Sequence, residues 1–172
     1  MLSNDFIRLR AIEPTDIDAI FRWENDSRLW STGSAVAPFS RKQVWDYVSN
    51  YTADPYASGE LRLMIVDAKS GDPLGMIDIT NFDPVNRRGQ VGIMVDIAHQ
   101  RLGVARNALE LLAEYARDRL GMHQLWAIIP AENIASRALF EQNGYAIEGH
   151  LRSWLRVGRE YRDAYFYHRF LQ

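Results

Sequence analysis

The sequence has no cysteine, so disulfide bonds, cysteine-ligated zinc and thiol catalysis are all excluded. It also has no run of about 18 apolar residues, the length that a transmembrane helix needs. The opening residues, MLSNDFIRLRAIE, lack the apolar centre of a signal peptide, and we therefore expect a cytoplasmic protein. The four histidines stand far apart without HxH or HxxxH spacing, so no metal site is expected.

Lysine is also scarce, and it occurs only at Lys42 and Lys69, so the positive charge is nearly all arginine. The net charge is −2, and without a basic field we expect neither nucleic acid nor a membrane as a partner. Arginine suits bidentate contacts with carboxylate and phosphate, although most of these side chains are expected to be solvated. The length and the 47% hydrophobic content predict one domain spanning residues 1–172.

Hydrophobic periodicity predicts an α/β (α+β) domain with a mixed, mostly antiparallel twisted sheet of about seven strands and about four helices. The strands are predicted at 6–11, 61–67, 74–82, 89–95, 124–130, 145–156 and 160–171. The helices are predicted at 15–25, capped by Thr15, at 40–51, capped by Ser40, and at 103–119 and 132–144. Residues 27–40 and 54–60 are expected to be loops. The strands before and after the third helix should be parallel and joined by a right-handed crossover.

The segment HQRLGVARNALELLAEYA, residues 99–116, carries a strand through a glycine-containing turn into a strongly periodic helix. The first amides of a helix lack intrahelical acceptors and lie at the positive end of its dipole, which favours a phosphate. Gly103 would let the ligand approach the backbone, and Arg101 and Arg106 could add charge-assisted bonds. The alternative is that Gly103 only starts the helix. Neither GxxxxGK[ST] nor GxGxxG occurs, which argues against ATP and dinucleotide loops.

Two stretches resemble known motifs of one enzyme superfamily. QRLGVA, residues 100–105, resembles the Q/R-x-x-G-x-G/A signature of the GNAT superfamily of acyl-CoA N-acyltransferases. ENIASRALFEQNGY, residues 132–145, is similar to its N-x-x-[SA]-x-x-[LIV]-[YF]-E-x-x-G-[FY] segment. WENDSRLW near the start and GHLRSWLRVGREYRDAYFYHRFL near the end resemble the branch with RimJ/RimL-type ribosomal-protein acetyltransferases and spermidine acetyltransferases. The sequence is identified as a member of this superfamily, which implies the GNAT fold.

The resemblance implies acetyl-CoA as co-substrate, with its pyrophosphate in the turn and its pantetheine arm along the preceding strand. The residues implied in cofactor binding are Met94, Val95, Gln100, Arg101, Leu102, Gly103, Val104, Ala105, Arg106, Asn133, Ser136 and Phe140. It also implies direct attack of a primary amine on the thioester. The acceptor is left open between a protein N-terminus, another small amine and a polyamine. The resemblance implies acidic residues in the loop after the first helix of a polyamine acetyltransferase, and here the loop SAVAPFS has none, which disfavours spermidine, although Glu24 and Asp26 keep it open.

The catalytic residues are less certain because two positions depart from the family pattern. Family members often have a tyrosine at position 140 to protonate the thiolate, whereas Phe140 has no proton to give and is expected to pack against the pantetheine or in the core. Ser136, four residues earlier on the same helix face, is the candidate acid, unless its hydroxyl bonds back to its own helix. Asn133 is expected to contact the cofactor arm, to cap this helix, or to do both.

The base and the acceptor pocket are predicted from the remaining polar residues. A family glutamate is replaced by Gln90, whose amide cannot take a proton, so Asp78 in MIDIT is the candidate base. The alternative for Asp78 is a solvated strand face. Trp23, Glu24 and Asp26 are expected, together with Asp78 and Gln90, to bind the acceptor. Core packing is the alternative for the tryptophan, and surface charge is the alternative for the two acids.

Two further alternatives concern the whole protein. Phe140 and Gln90 would also suit a non-catalytic acyl-CoA-binding sensor, because neither usual proton-handling position can ionise. The C-terminal aromatic residues would suit either a homodimer edge or the core of the sheet itself: Tyr161, Tyr165, Phe166 and Tyr167.

Overall fold

Seven strands form a single sheet in the structure, a computed structural model that describes residues 2–30 and 37–172. The strands are β1 (Ile7–Arg10), β2 (Leu61–Asp67), β3 (Pro73–Asp83), β4 (Arg88–Val95), β5 (Gln124–Pro130), β6 (Ala146–Val157) and β7 (Glu160–Phe170). Their order in the sheet is β1-β2-β3-β4-β5-β7-β6. Only β4 and β5 are parallel neighbours within the described sheet, and every other pair is antiparallel. The predicted fold class is confirmed.

The helices of the described part of the chain are α1 (Ile17–Glu24), α2 (Ser27–Trp30), α3 (Arg41–Asn50), α4 (Pro55–Ser58), α5 (Val104–Asp118) and α6 (Ile134–Gln142). Four of them correspond to the predicted helices, while the one-turn helices α2 and α4 lie where loops were expected. In α4, the Asp54 side chain accepts hydrogen bonds from the amides of Tyr56 and Ala57, so a capping residue suffices for one turn. The rest of the first predicted loop, residues 31–36, lies outside the described residues. No helix in the described ranges is long and apolar enough to span a membrane.

Of the helix caps predicted at Thr15 and Ser40, the one at Ser40 is confirmed and the one at Thr15 is wrong. The Ser40 side chain accepts a hydrogen bond from the Gln43 amide at 3.1 Å, as a capping residue does. Thr15 instead lies inside a 3-10 turn, Pro14–Asp16, that precedes α1. The buried Asp16 carboxylate holds this turn, because it accepts the Glu13 amide at 2.8 Å and pairs with Arg10 at 2.7 Å.

Apolar side chains cover both faces of the sheet. On one face α5 buries Ala108, Leu109 and Leu112 completely. Each such leucine stabilises the fold by about 1.5–3 kcal/mol relative to an exposed one. On the other face α1 and α3 pack over the strand residues Met64, Val66 and Met76. The second face is the one toward which Asp78 points, because residues two apart on a strand share a face.

The two parallel strands, β4 and β5, pair over only part of their length. Arg88–Gln90 of β4 pair with Gln124–Trp126 of β5, and among the described residues Val91–Val95 have no partner in β5. The other edge of β4 stays paired with β3 as far as Val95, opposite Gly75. A Cβ atom at Gly75 would lie 2.2 Å from the Met94 carbonyl oxygen, so the strands approach too closely for any side chain there. β4 therefore leaves β5 and remains with β3, which leaves a V-shaped opening beside residues 91–95.

Candidate active site

The turn between β4 and α5 follows the open end of β4. A 3-10 turn, Ile97–His99, is followed by Arg101 with φ of 63° and Gly103 with φ of 81°. The second left-handed residue reverses the chain into α5, a conformation that glycine adopts without strain. No side chain caps α5. The amides of its first turn therefore lack intrahelical acceptors and remain available to an anion.

The backbone of this turn is open to a ligand. A Cβ atom at Gly103 would meet only the Asn107 side-chain nitrogen, at 3.7 Å, so the backbone there can be approached closely. Arg101 and Arg106 are exposed, and neither forms an ion pair with another residue of the described chain. Two exposed arginines without ion-pair partners in the described chain thus lie in and directly after the turn that begins α5.

The other residues predicted to hold the cofactor divide by what they can offer. Val95 and Val104 are buried, so only their backbone atoms can meet a ligand. Met94 packs against the core beneath α1, while Leu102 is exposed. The Gln100 side chain donates a hydrogen bond to the Val95 carbonyl oxygen at 3.2 Å, which closes the turn onto the end of β4. In this structure Gln100 therefore shapes the turn.

Helix α6 begins beside the open end of β5. The Asn133 side chain accepts a hydrogen bond from the Ser136 amide at 3.1 Å, which confirms that Asn133 caps this helix. The Ser136 hydroxyl is half-buried and forms no hydrogen bond within the described part of the chain, so the predicted back-bond to its own helix is absent. Phe140 is 2% exposed and meets the Tyr145 ring edge-on at 4.9 Å. Phe140 therefore packs in the core, which leaves it almost no surface for a cofactor.

A guanidinium group fixes α6 to the sheet. Arg137 donates through Nε to the Tyr167 hydroxyl oxygen at 3.1 Å and through Nη1 to the Ala131 carbonyl oxygen at 3.1 Å. Its Cζ atom lies 4.6 Å from the centre of the Tyr165 ring. Tyr167 in turn donates to Glu141 at 2.8 Å. These contacts hold the helix that carries Asn133 and Ser136 in one orientation.

Asp78 lies in an ion pair on the face covered by α1 and α3. Its Oδ2 atom is 3.1 Å from the Arg62 guanidinium, and its side chain is 18% exposed. A Cβ atom at Gly92 would lie 2.4 Å from Asp78 Oδ1, so the carboxylate lies directly over β4 beside the opening. Burial raises the pKa of Asp78 above its ordinary value, although the Arg62 charge opposes this shift. The solvated-face interpretation is therefore wrong.

Sequence reasoning missed the groups that hold Arg62. Tyr51 donates through its hydroxyl to the Arg62 carbonyl oxygen at 3.0 Å and accepts the Arg62 amide. The Arg62 Cζ atom lies 5.5 Å from the centre of the Tyr47 ring, and Tyr47 donates to Glu60 at 3.3 Å. The available signal was an arginine inside the apolar strand LRLMIVD, directly opposite Asp78 in the register of β2 and β3.

The structure separates the remaining acceptor candidates. Trp23 is 3% exposed, and its indole N–H donates to Asp96 at 2.7 Å, so its prediction as an acceptor wall is wrong and core packing is right. Asp26 pairs with Arg28 at 2.6 Å, which supports the surface-charge interpretation. Gln90 accepts the Asn81 side-chain amide at 2.8 Å. Glu24 is half-buried, and its charge helps to raise the pKa of Arg62 against the effect of burial.

Comparison with known proteins identifies the class. The family model for the acetyltransferase (GNAT) domain matches residues 7–146, and the chain therefore belongs to this family. It is an N-acetyltransferase that uses acetyl-CoA and an amine acceptor. In the described part of the chain, no three acidic or histidine side chains cluster as metal ligands.

Individual relatives are distant but cover nearly the whole chain. Spermidine N(1)-acetyltransferase of Vibrio cholerae is 23% identical over 160 residues, which cover 93% of this chain and 90% of that protein. YdaF of Bacillus subtilis, named as a candidate ribosomal N-acetyltransferase, is 27% identical over 172 residues, covering 95% and 91%. The solved structure of the Vibrio cholerae spermidine enzyme with CoA and spermine superposes with a TM-score of 0.84. Its sequence is 22% identical, with 98% of this chain and 97% of that chain covered, so it shows a shared fold.

Replacement of Gly103 by valine should abolish tight acetyl-CoA binding. A β-branched residue is strained at a positive φ by about 1–3 kcal/mol, so the turn would rearrange and its amides would lose their direction. Loss of one charge-assisted hydrogen bond, about 1.5–3 kcal/mol, raises Kd at least about tenfold. Calorimetry with acetyl-CoA measures the effect.

The matched control is Gly59→Val, because Gly59 also has a positive φ of 76° and meets nothing within 4 Å. It should lower the melting temperature as much as Gly103→Val and leave acetyl-CoA affinity unchanged. If Gly103→Val binds acetyl-CoA as tightly as Gly59→Val does, the assignment of the pyrophosphate to this turn is refuted.

Proposed function

We propose that the acceptor is a primary amine recognised without a second positive charge, and that the α-amino group of a polypeptide is the acceptor that fits best. The observation that carries this proposal is the pairing of the acidic groups near the acceptor face. Four carboxylates on the side of the sheet covered by α1 and α3 each lie within 3.2 Å of an arginine guanidinium: Asp18, Asp26, Asp78 and Asp96.

A polyamine carries several ammonium groups and needs carboxylates that are not already compensated. The segment that follows α2, STGSAVAPFS at residues 31–40, contains no acidic residue. Glu60, which accepts a hydrogen bond from Tyr47 at 3.3 Å, lies near the Arg62 charge. The charges on this side therefore favour an acceptor with one amine over an acceptor with three.

The names of the relatives support both acceptor classes. YdaF, at 27% identity, is named for ribosomal N-acetylation, and a ribosomal-protein-serine acetyltransferase of Escherichia coli is 23% identical over 63% of this chain. Spermidine N-acetyltransferases match over 93–95% of the chain at 22–23% identity. A polyamine is therefore the second candidate for the acceptor.

Each candidate catalytic residue has a defined task in the transfer. Acetyl-CoA supplies the acetyl thioester. We assign Asp78 to take the proton from the ammonium nitrogen, directly or through one water, because its raised pKa makes it a better base than an ordinary carboxylate. We assign the unbonded Ser136 hydroxyl to give a proton to the departing sulfur while it takes up the proton that the attacking nitrogen loses as the amide forms. A backbone amide on the edge of β4 that does not pair with β5 would stabilise the developing oxyanion.

Assembly and location stay predictions. Of the four C-terminal aromatic residues considered for a dimer edge, Tyr167 is buried in the core, Tyr165 packs against it, and Phe166 stacks on Trp126 at 5.4 Å. Tyr161 remains 62% exposed on the hairpin. We propose a homodimer that uses this hairpin, and we propose a cytoplasmic location.

A panel of acceptors tests the acceptor class. We expect a peptide with a free N-terminus to give a kcat/KM at least about tenfold above that of spermidine, which corresponds to one uncompensated charge contact of about 1.4 kcal/mol. The release of free CoA thiol measures the rate, and mass spectrometry locates the acetyl group. The same peptide with a blocked N-terminus is the control. Faster turnover of spermidine would overturn the proposal, and acetyl-CoA binding without thiol release over any amine would favour the sensor.

The role of Asp78 predicts a pH dependence. A base must be ionised, so kcat/KM should fall as the pH drops through the raised pKa of Asp78. Because Arg62 lowers that pKa, Arg62→Gln should move this acidic limb to higher pH, whereas Arg62→Lys should leave it near its original position. Asp78→Asn should lower kcat/KM about a hundredfold.

The acceptor amine itself titrates near pH 7.7–8.0 when it is an α-amino group. The comparison between variants on one acceptor therefore identifies the enzyme group. An acidic limb that stays at the same pH in both Arg62 variants, or full activity of Asp78→Asn, would remove Asp78 as the base.

The role of Ser136 predicts a loss that is confined to the chemical step. Ser136→Ala should reduce kcat at least about tenfold, and a general acid usually contributes about a hundredfold or more. The Kd for acetyl-CoA should stay the same. Ser136→Thr keeps a hydroxyl and should restore most of the rate. Steady-state kinetics and calorimetry measure the two quantities. An alanine variant with unchanged kcat would show that water supplies this proton.

A further inference from the structure

Asp96 joins the helix on the acceptor side to the turn on the cofactor side. It is the residue directly after β4, and its Oδ2 atom accepts hydrogen bonds from Trp23 Nε1 at 2.7 Å and from Arg22 at 3.2 Å, both in α1. Its Oδ1 atom accepts the Ala98 amide at 3.0 Å in the 3-10 turn that follows. One carboxylate therefore bonds two segments that are more than 70 residues apart in the sequence.

The contacts of Asp96 are strong for a residue near the surface. Trp23 is buried, so its indole N–H would have no water to replace a lost acceptor, and an unsatisfied buried donor is costly. Burial would raise the pKa of Asp96, but the hydrogen bonds from Trp23, Ala98 and Arg22 outweigh it and lower the pKa. The carboxylate is thus ionised and bound at neutral pH.

The segment after Asp96 transmits its position to the cofactor turn. The His99 amide donates to the Asp96 carbonyl oxygen at 2.8 Å, and the Gln100 side chain donates to Val95 at 3.2 Å. The Asp96 amide itself donates to the Leu74 carbonyl oxygen at 2.8 Å. These hydrogen bonds hold residues 95–100 to one another and to Leu74 at the start of β3. Arg101 and Gly103 come immediately after this segment.

We propose that Asp96 is a positioning residue that couples α1 to the cofactor turn, so that binding of the acceptor and binding of acetyl-CoA strengthen each other. This inference rests on the proposed assignment of acetyl-CoA to the turn and of the acceptor to the face beneath α1. A shift of α1 on acceptor binding moves the Trp23 indole and with it Asp96 and the turn. Because coupling between two sites is reciprocal, each ligand must change the affinity for the other by the same factor.

The test compares Asp96→Asn with the original protein. Asparagine keeps the shape but has one acceptor oxygen, so it cannot hold both Trp23 and Ala98. We expect the Kd and KM for acetyl-CoA to rise about three- to tenfold, as for one lost hydrogen bond, with a smaller change in kcat. The factor by which a saturating acceptor tightens acetyl-CoA binding should fall toward one.

Asp83→Asn is the matched control. Asp83 accepts the Asn86 amide at 2.9 Å and pairs with Arg88 at 3.2 Å, so it has the same kind of contacts in the turn between β3 and β4. It should change the melting temperature by a similar amount and leave acetyl-CoA affinity and the coupling factor unchanged. A general loss of stability therefore cannot produce the expected result.

A double variant distinguishes coupling through the indole from other effects. Trp23→Phe removes the N–H donor, and we expect it to reduce the coupling factor as Asp96→Asn does, with little further loss when both are combined. Fully additive losses, or an Asp96→Asn protein with unchanged affinity and coupling, would overturn the inference. If both Asp96→Asn and Gly103→Val bind acetyl-CoA normally, the assignment of the cofactor to the turn has failed. If Gly103→Val loses binding and Asp96→Asn does not, only the inference about Asp96 has failed.

Discussion

The edge of β4 that faces β5 but does not pair with it, at residues 91–95, is the constraint on which the rest of the structure depends. A strand inside a sheet normally bonds on both edges, because buried backbone groups without partners are costly. Here the close approach of Gly75 to Met94 holds β4 against β3, while β5 follows β7. The backbone groups beside residues 91–95 therefore need another partner, and an extended amide-containing arm such as pantetheine can provide one. The turn into α5 and the start of α6 both border this opening.

The charges beneath α1 and α3 follow a second constraint. A carboxylate beneath packed helices is stable only when it is paired, and the residues that pair it also decide what the face can recognise. Arg62 binds Asp78, and Tyr47 in α3 and Tyr51 directly after it hold Arg62 in place. The pair places a carboxylate close to β4 and balances its charge. In the proposed function, this one arrangement would supply the base and would also attract polycations only weakly.

Local signals in the sequence predicted most of the fold, including the turn between β4 and α5. The strand, the glycine and the amphipathic helix of α5 are consecutive, so their geometry follows from the chain itself. The Ser40 and Asn133 caps were found for the same reason, because a cap bonds within three residues. The Thr15 cap was wrong because the Asp16 carboxylate is bound by Arg10 and by the Glu13 amide, which places a 3-10 turn before α1.

Residues whose partners are distant in sequence were not predictable in this way. The environment of Asp78 depends on the register of β2 against β3. The burial of Trp23 depends on its hydrogen bond to Asp96, 73 residues away on another element, which the sequence does not show. The acceptor face consists mainly of such contacts. This is why the sequence leads to the cofactor and the reaction more directly than to the acceptor.

The opening beside β4 also bears on how long the protein survives in a cell. A ligand that binds only the folded chain stabilises it by about 2.7 kcal/mol when its free concentration is a hundred times its Kd. If acetyl-CoA lies along this edge of β4, the protein would resist unfolding and proteolysis most when that metabolite is abundant. The abundance of the enzyme would then follow the supply of its own co-substrate, without any separate regulatory site.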